Sequence, residues 1–162
     1  MGAVIKDLGP CEVIFNGTSI GAFNGGVKFR FTEETRPVHE DAKGVSNVDE
    51  IYVGVSTCEV EVPLTRTSLA ILAELIGSVT YYGNVLEASN PVGISMYDSA
   101  QALIIKPIVN NVASTDNTTW LTVLKVKPKA DYEVIYDNES QRIFKTIFKA
   151  FPDASTGKYW KI

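Results

Sequence analysis

The sequence predicts a mainly β fold of the sandwich or barrel kind, with one flanking α-helix and one long loop or extended hairpin. Three observations carry this. Short runs rich in Val, Ile, Phe, Tyr and Thr recur along the chain and are punctuated by Gly, Pro, Asn and Asp. Within those runs apolar residues alternate with polar ones, the period of a strand with one buried and one wet face. A single segment switches to the helical period. At 162 residues, 45% hydrophobic and 21% charged, the chain reads as one domain, residues 1–162, able to bury a core without metal or disulfide staples.

The first strands are expected at 11–15, 19–23 and 27–32. Asn16-Gly17 and Asn24-Gly25-Gly26 lie between them and can supply the positive φ that hairpin turns need, so the N-terminal part reads as a small meander. Then comes a polar stretch from Glu33 to Asp49, with Pro37, Gly44 and few large apolar residues. It reads as a long functional loop, or as an extended hairpin with Pro37-Val38 in one arm. Strands at 50–55 and 57–64 follow.

The helix is expected over 67–76. Leu69, Leu72, Ala73 and Ile76 take the i, i+3, i+4, i+7 spacing, Thr67 or Ser68 can cap the start, and Gly77 suits a left-handed residue past the end. Ile71 and Leu75 widen the apolar stripe, which predicts packing against a sheet, with a neighbouring chain as the alternative cover. Later strands are expected at 79–82, 103–109, 120–127, 131–137 and 143–151. Residues 110–119 read as a loop or hairpin tip, and Pro128-Lys129 and Asp137-Asn138 as turns.

A search for chemistry yields no catalytic residue, no metal site and no cofactor site. Cys11 and Cys58 with the single His39 are too few for structural zinc within one chain. Strand parity makes both cysteines small core hydrophobes, with an inter-chain disulfide as the alternative. His39, Glu40 and Asp41 adjoin, but in a polar stretch with no further ligand they read as solvated charge. No nucleophile elbow, Walker loop or dinucleotide fingerprint occurs. Bases interleave with aromatics at Lys28-Phe29-Arg30-Phe31 and from Phe144 to Lys149, a pattern that can grip single strands. The pI of about 5.0 argues against that use, and strand alternation explains it.

No apolar run approaches a membrane span and no leader is evident at the N-terminus, which predicts residence in a cytoplasm-like space. The sequons at Asn16, Asn117 and Asn138 then read as polar turn residues. Charge is uneven: residues 1–60 hold nine acids against five bases, whereas residues 142–162 hold five bases against Asp153. Such polarity suits solvated surface or head-to-tail association.

The run Asp49-Glu50-Ile51-Tyr52-Val53-Gly54-Val55-Ser56-Thr57-Cys58-Glu59-Val60-Glu61-Val62-Pro63-Leu64, followed at once by the helix, resembles the major tail tube subunits of bacteriophages. In those proteins a strand of alternating acidic and apolar residues ends in a Pro-Leu step before a lone helix. Residues 131–137 and 144–153 resemble their closing strands, so the likeness extends over nearly the whole chain. It implies a β-sandwich or half-open barrel flanked by one helix, and a virion structural protein without enzymatic activity. Its partners would be other copies of itself, in hexameric rings stacked into a tube whose lumen carries DNA. Tape-measure, tail-terminator, baseplate or tip, and sheath proteins would be further partners, with no membrane. Assembly in the host cytoplasm would place it in the virion tail.

On that resemblance Glu59 and Glu61, which share one strand face, are lumen-facing candidates. Glu33, Glu34, Arg36, His39, Glu40, Asp41, Lys43 and Asp49 are candidates for an inter-ring or inter-subunit loop. Outside the family, a non-enzymatic β-sandwich binding or virion decoration module is the alternative.

Overall fold

Among the described residues the alternating runs form strands that pair antiparallel into one ten-stranded sheet, with a separate two-stranded hairpin. The computed structural model describes residues 9–23, 26–44, 46–66, 68–132 and 144–162. The chain begins with β1 (Cys11–Phe15), β2 (Thr18–Ser19), β3 (Ala22–Phe23) and β4 (Lys28–His39). A 3-10 turn over Asp41–Lys43 leads into β5 (Asn47–Arg66), then α1 (Leu69–Leu75). β6 (Val79–Tyr82) and β7 (Val85–Ala88) make the separate hairpin. β8 (Gln101–Val109), β9 (Val112–Ala113), a 3-10 turn over Asn117–Thr119, β10 (Leu121–Lys129), β11 (Phe144–Ala150) and β12 (Trp160–Lys161) complete the order.

The sheet runs β2-β1-β8-β10-β11-β5-β3, with β12 beside β10, β4 beside β5 and β9 beside β8. Its two margins do not pair with each other among the described residues, so the sheet curls without closing into a barrel. Parity puts one residue set inside. Phe29, Val60, Phe148 and Pro128 lie directly across from one another on β4, β5, β11 and β10, and Val60 and Phe148 are fully buried. The second wall is Val13 and Phe15 of β1 with Leu103 of β8. Phe15 and Phe148 meet at 5.1 Å between ring centroids. Trp160 of β12 reaches Phe29 and Phe31 of β4 at 5.7 Å, edge to face, although the strands are not ladder neighbours. These ring contacts bridge opposite parts of the curled sheet across its interior.

The helix forms as expected but ends differently. Ser68 Oγ accepts from Ile71 N at 3.3 Å, which caps the start. Leu72 and Leu75 are its buried pair while Leu69 stays exposed, so the apolar stripe is rotated towards Ile71 and Leu75. The C-cap is Ile76, with φ −106. Gly77 is not among the residues with positive φ; a Cβ there would come within 3.0 Å of Lys127 Cε, the flexible end of a side chain that can shift aside.

Other differences have local causes. The strand expected at 19–23 is broken into β2 and β3 at Gly21, whose φ is 102, and Ile20 turns fully into the core. Pro128 does not end β10; it pairs with Phe148. β8 accompanies β10 only as far as Val126, so at Pro128 that side is an edge, where a residue without N–H is tolerated. The strand expected at 131–137 falls mostly outside the described residues, and Asp131 and Tyr132 lie in no strand. β7, β9 and β12 were not expected. Gly83-Asn84 and Asn110-Asn111 take positive φ and close the β6–β7 and β8–β9 hairpins in the manner of type I′ turns.

Candidate assembly surface: the β4–β5 arm and the charged sheet face

β4 and β5 pair beyond the limits of the core. From Lys28 opposite Glu61 to Thr32 opposite Thr57 the ladder belongs to the curled sheet, and from Glu33 opposite Val55 to His39 opposite Asn47 it continues as a free ribbon. Seven residues of β4 at about 3.3 Å each give an arm of roughly 23 Å, compared with a radius of gyration of about 15 Å for a compact domain of this length. The register shifts three times along it, each time leaving an extra residue in β5. Such bulges bend and twist a ribbon. At the first, Ser56 Oγ donates to Thr32 O at 3.2 Å.

The stretch from Glu33 to Asp49 is therefore the extended hairpin, with a short 3-10 turn at its tip, rather than a loop. Glu33, Glu34, Arg36 and His39 lie on its outgoing strand and Asp49 on its return. Glu40 and Asp41 sit at the tip, as does Lys43, whose side chain lies outside the described set. Most residues on both faces of the ribbon are exposed. Ile51, Tyr52 and Val53 are 58%, 71% and 50% exposed. Thr35 Oγ1 donates to Glu50 Oε2 at 3.1 Å across the ribbon. A two-stranded ribbon with no core under it is marginal alone.

The second feature is the outer face of the same strands. Glu59 and Glu61 alternate with buried Cys58, Val60 and Val62, so they share the outward face. Register decides what surrounds them. Glu59 stands between Arg30 of β4 and Lys149 of β11, and Glu61 between Lys28 and Ile147. Lys145 Nζ lies 3.3 Å from a Glu61 carboxylate oxygen. One strand further, Lys127 faces Lys149 and Lys129 faces Ile147. The two carboxylates are thus set into a face with six cations, Lys28, Arg30, Lys127, Lys129, Lys145 and Lys149. The surface they belong to is basic.

Cys11 is half-buried and Cys58 buried, and both are free thiols. Burial raises the Cys11 thiol pKa. Burial, with a smaller contribution from the Glu59 charge, pushes Cys58 up to about 11. The thiolate is the reactive form, so at pH 8 roughly a thousandth of Cys58 would be ionised. Labelling with a chromogenic disulfide reagent at pH 8 should modify Cys11 first and Cys58 at least tenfold more slowly; denaturant should equalise them. Equal rates in the native protein would place Cys58 at a solvent-open position.

Elsewhere, a shallow groove of about 370 Å³ between α1 and the sheet is lined by residues including Phe15, Glu74, Gln101 and Lys127. Among the described residues no three His, Cys, Asp or Glu side chains gather where a metal ion could be held. No described helix is long and apolar enough to cross a membrane.

No family model and no curated protein matches the chain. Among solved structures it is similar to the sheath/tube terminator of an extracellular contractile injection system, PVC, determined by cryo-electron microscopy in the extended state. The two share 14% identity over 91% of each chain, with a TM-score of 0.49.

Proposed function

We propose that this chain is a non-enzymatic structural subunit of a phage-type tail, polymerising through its β4–β5 arm into stacked hexameric rings whose lumen passes DNA. The observation that carries the reading is the arm. It takes Ile51, Tyr52 and Val53 away from the core and leaves them in water, a cost of roughly 25 cal/mol for each Å² of apolar surface left uncovered. A neighbouring molecule removes that cost.

The arm and any surface that receives it are different parts of the chain. If each arm enters a neighbour whose own arm reaches a third copy, the contact is heterologous and propagates into rings or filaments, whereas mutual exchange of arms between two copies would close a two-fold dimer. The six-fold count, the DNA-conducting lumen and the other tail proteins as partners come from the resemblance of residues 49–64 and the following helix to tail tube subunits.

Sedimentation velocity over a concentration series, with negative-stain microscopy of the concentrated sample, tests the reading. Rings or tubes are expected, growing as salt is lowered. A protein that remains monomeric at high concentration and low salt would overturn it.

A further inference from the structure

We infer that the basic outer face of β4, β5, β11 and β10 is the surface on which a second copy of this chain seats its arm. The inference rests on the assembly reading above and adds the receiving site. Its ground is charge and shape on the same molecule. Residues 33–50 carry six acids, Glu33, Glu34, Glu40, Asp41, Asp49 and Glu50, against Arg36 and Lys43. The outer face carries six cations against Glu59 and Glu61. The two surfaces are thus opposite in sign and closely matched in size of charge, the arrangement that steers encounter and fixes orientation between partners.

The apolar parts match as well. Ile147 is half-buried in the middle of the basic face, opposite Glu61 on one side and Lys129 on the other. Ile51, Tyr52 and Val53 of an incoming arm offer the apolar area to cover it, ringed by ion pairs that exclude water. The arm cannot serve its own face without doubling back, because it continues outward from the very strands that build that face. The occupant is a second copy. Glu59 and Glu61 in the centre of the patch disfavour a polyanion there, and they suit an arm that brings Arg36 along with its carboxylates.

Three purified proteins test this by sedimentation velocity at low and moderate salt: wild type, an arm variant (Glu33→Lys, Glu34→Lys, Glu50→Lys) and a face variant (Lys28→Glu, Lys129→Glu, Lys149→Glu). Each variant alone should stay monomeric, because its arm and face then repel. Mixed in equal amounts they should co-assemble, since each arm meets a face of opposite sign. A milder variant, Lys28→Gln with Lys149→Gln, puts no new carboxylate against Glu59 or Glu61 and should weaken assembly roughly tenfold. Far-ultraviolet circular dichroism checks that all remain folded.

If wild type does not associate at all, the assembly reading itself fails. If wild type associates and the arm variant does not, while both face variants assemble as wild type does, that reading stands and the receiving face is wrong. Face variants that assemble normally but lose affinity for a short DNA duplex would make the patch a polyanion surface and equally overturn the inference.

Discussion

Replacing Phe148 with Ala is expected to lower the free energy of unfolding by about 4 kcal/mol, the middle of the range for truncating a buried aromatic side chain. Phe148 is fully buried and lies between Val60 and Pro128 on neighbouring strands. Its ring also crosses the interior to Phe15 at 5.1 Å, so one side chain joins the wall built from β4, β5 and β11 to the wall built from β1 and β8. Truncation loses the transfer energy of the ring and leaves a cavity that a curled sheet, tied by ladders on both sides, cannot collapse into. Against a typical total of 5–15 kcal/mol, the variant would be marginal. Urea unfolding followed by tryptophan fluorescence measures the loss, with Phe148→Leu expected at about 1–2 kcal/mol and Lys149→Ala within about 0.5 kcal/mol. A loss below 1 kcal/mol for Phe148→Ala would mean that the core is not organised around this ring.

That such a residue exists was legible from strand parity. Thr146, Phe148 and Ala150 fall on one side of β11, and Lys145, Ile147 and Lys149 on the other, as the alternation of the sequence requires. The same reasoning locates Val13 and Phe15 on β1 and Val60 and Val62 on β5. It loses its grip where a strand has no buried side. From Glu33 to His39 and back to Val55 both faces of the ribbon are mostly wet, with only Val38, Val48 and Val55 half-buried, so little alternation exists to be read and a polar hairpin looks like a polar loop. Pro128 misled for a related reason. A proline reads as a turn until one knows that β8 stops short of it and leaves an edge there. The β6–β7 hairpin carried a usable signal in Gly83-Asn84, flanked by Tyr81-Tyr82 and Val85-Leu86, which the turn rules identify when applied at that dipeptide.

The candidate surface was half legible. That Glu59 and Glu61 point the same way follows from their spacing alone. What faces them does not, because Arg30 comes from 29 residues before Glu59 and Lys149 from 90 residues after it, and only the register of three strands brings them together. An acidic strand therefore sits in a basic face. The uneven charge along the sequence pointed to complementary surfaces. The fold gives that polarity its location, with the acids gathered on the arm and Lys145 and Lys149 on the sheet.

Removing the arm is expected to abolish assembly while leaving the domain folded. The structure fixes how it must be cut. Deleting only residues 33–49 would strand residues 50–56 of β5 without partners, exposing unpaired backbone next to Ile51 and Tyr52. The cut that respects the ladder removes residues 33–56 and joins Thr32 to Thr57, which face each other, through an Asn-Gly turn suited to a two-residue hairpin. Stability should change by no more than about 1 kcal/mol, because none of the removed residues is among the core cluster or the half-buried apolar side chains packed against it, and the loop becomes shorter. Association should fall at least a hundredfold, about 2.7 kcal/mol or more, since a stable interface needs on the order of 800 Å² from each partner and the arm supplies the exposed apolar anchors. Thermal unfolding together with sedimentation velocity separates the two effects. A folded variant that still forms the wild-type assembly would show the arm to be ornament, and one that no longer folds would show that the ribbon supports the core from which it extends.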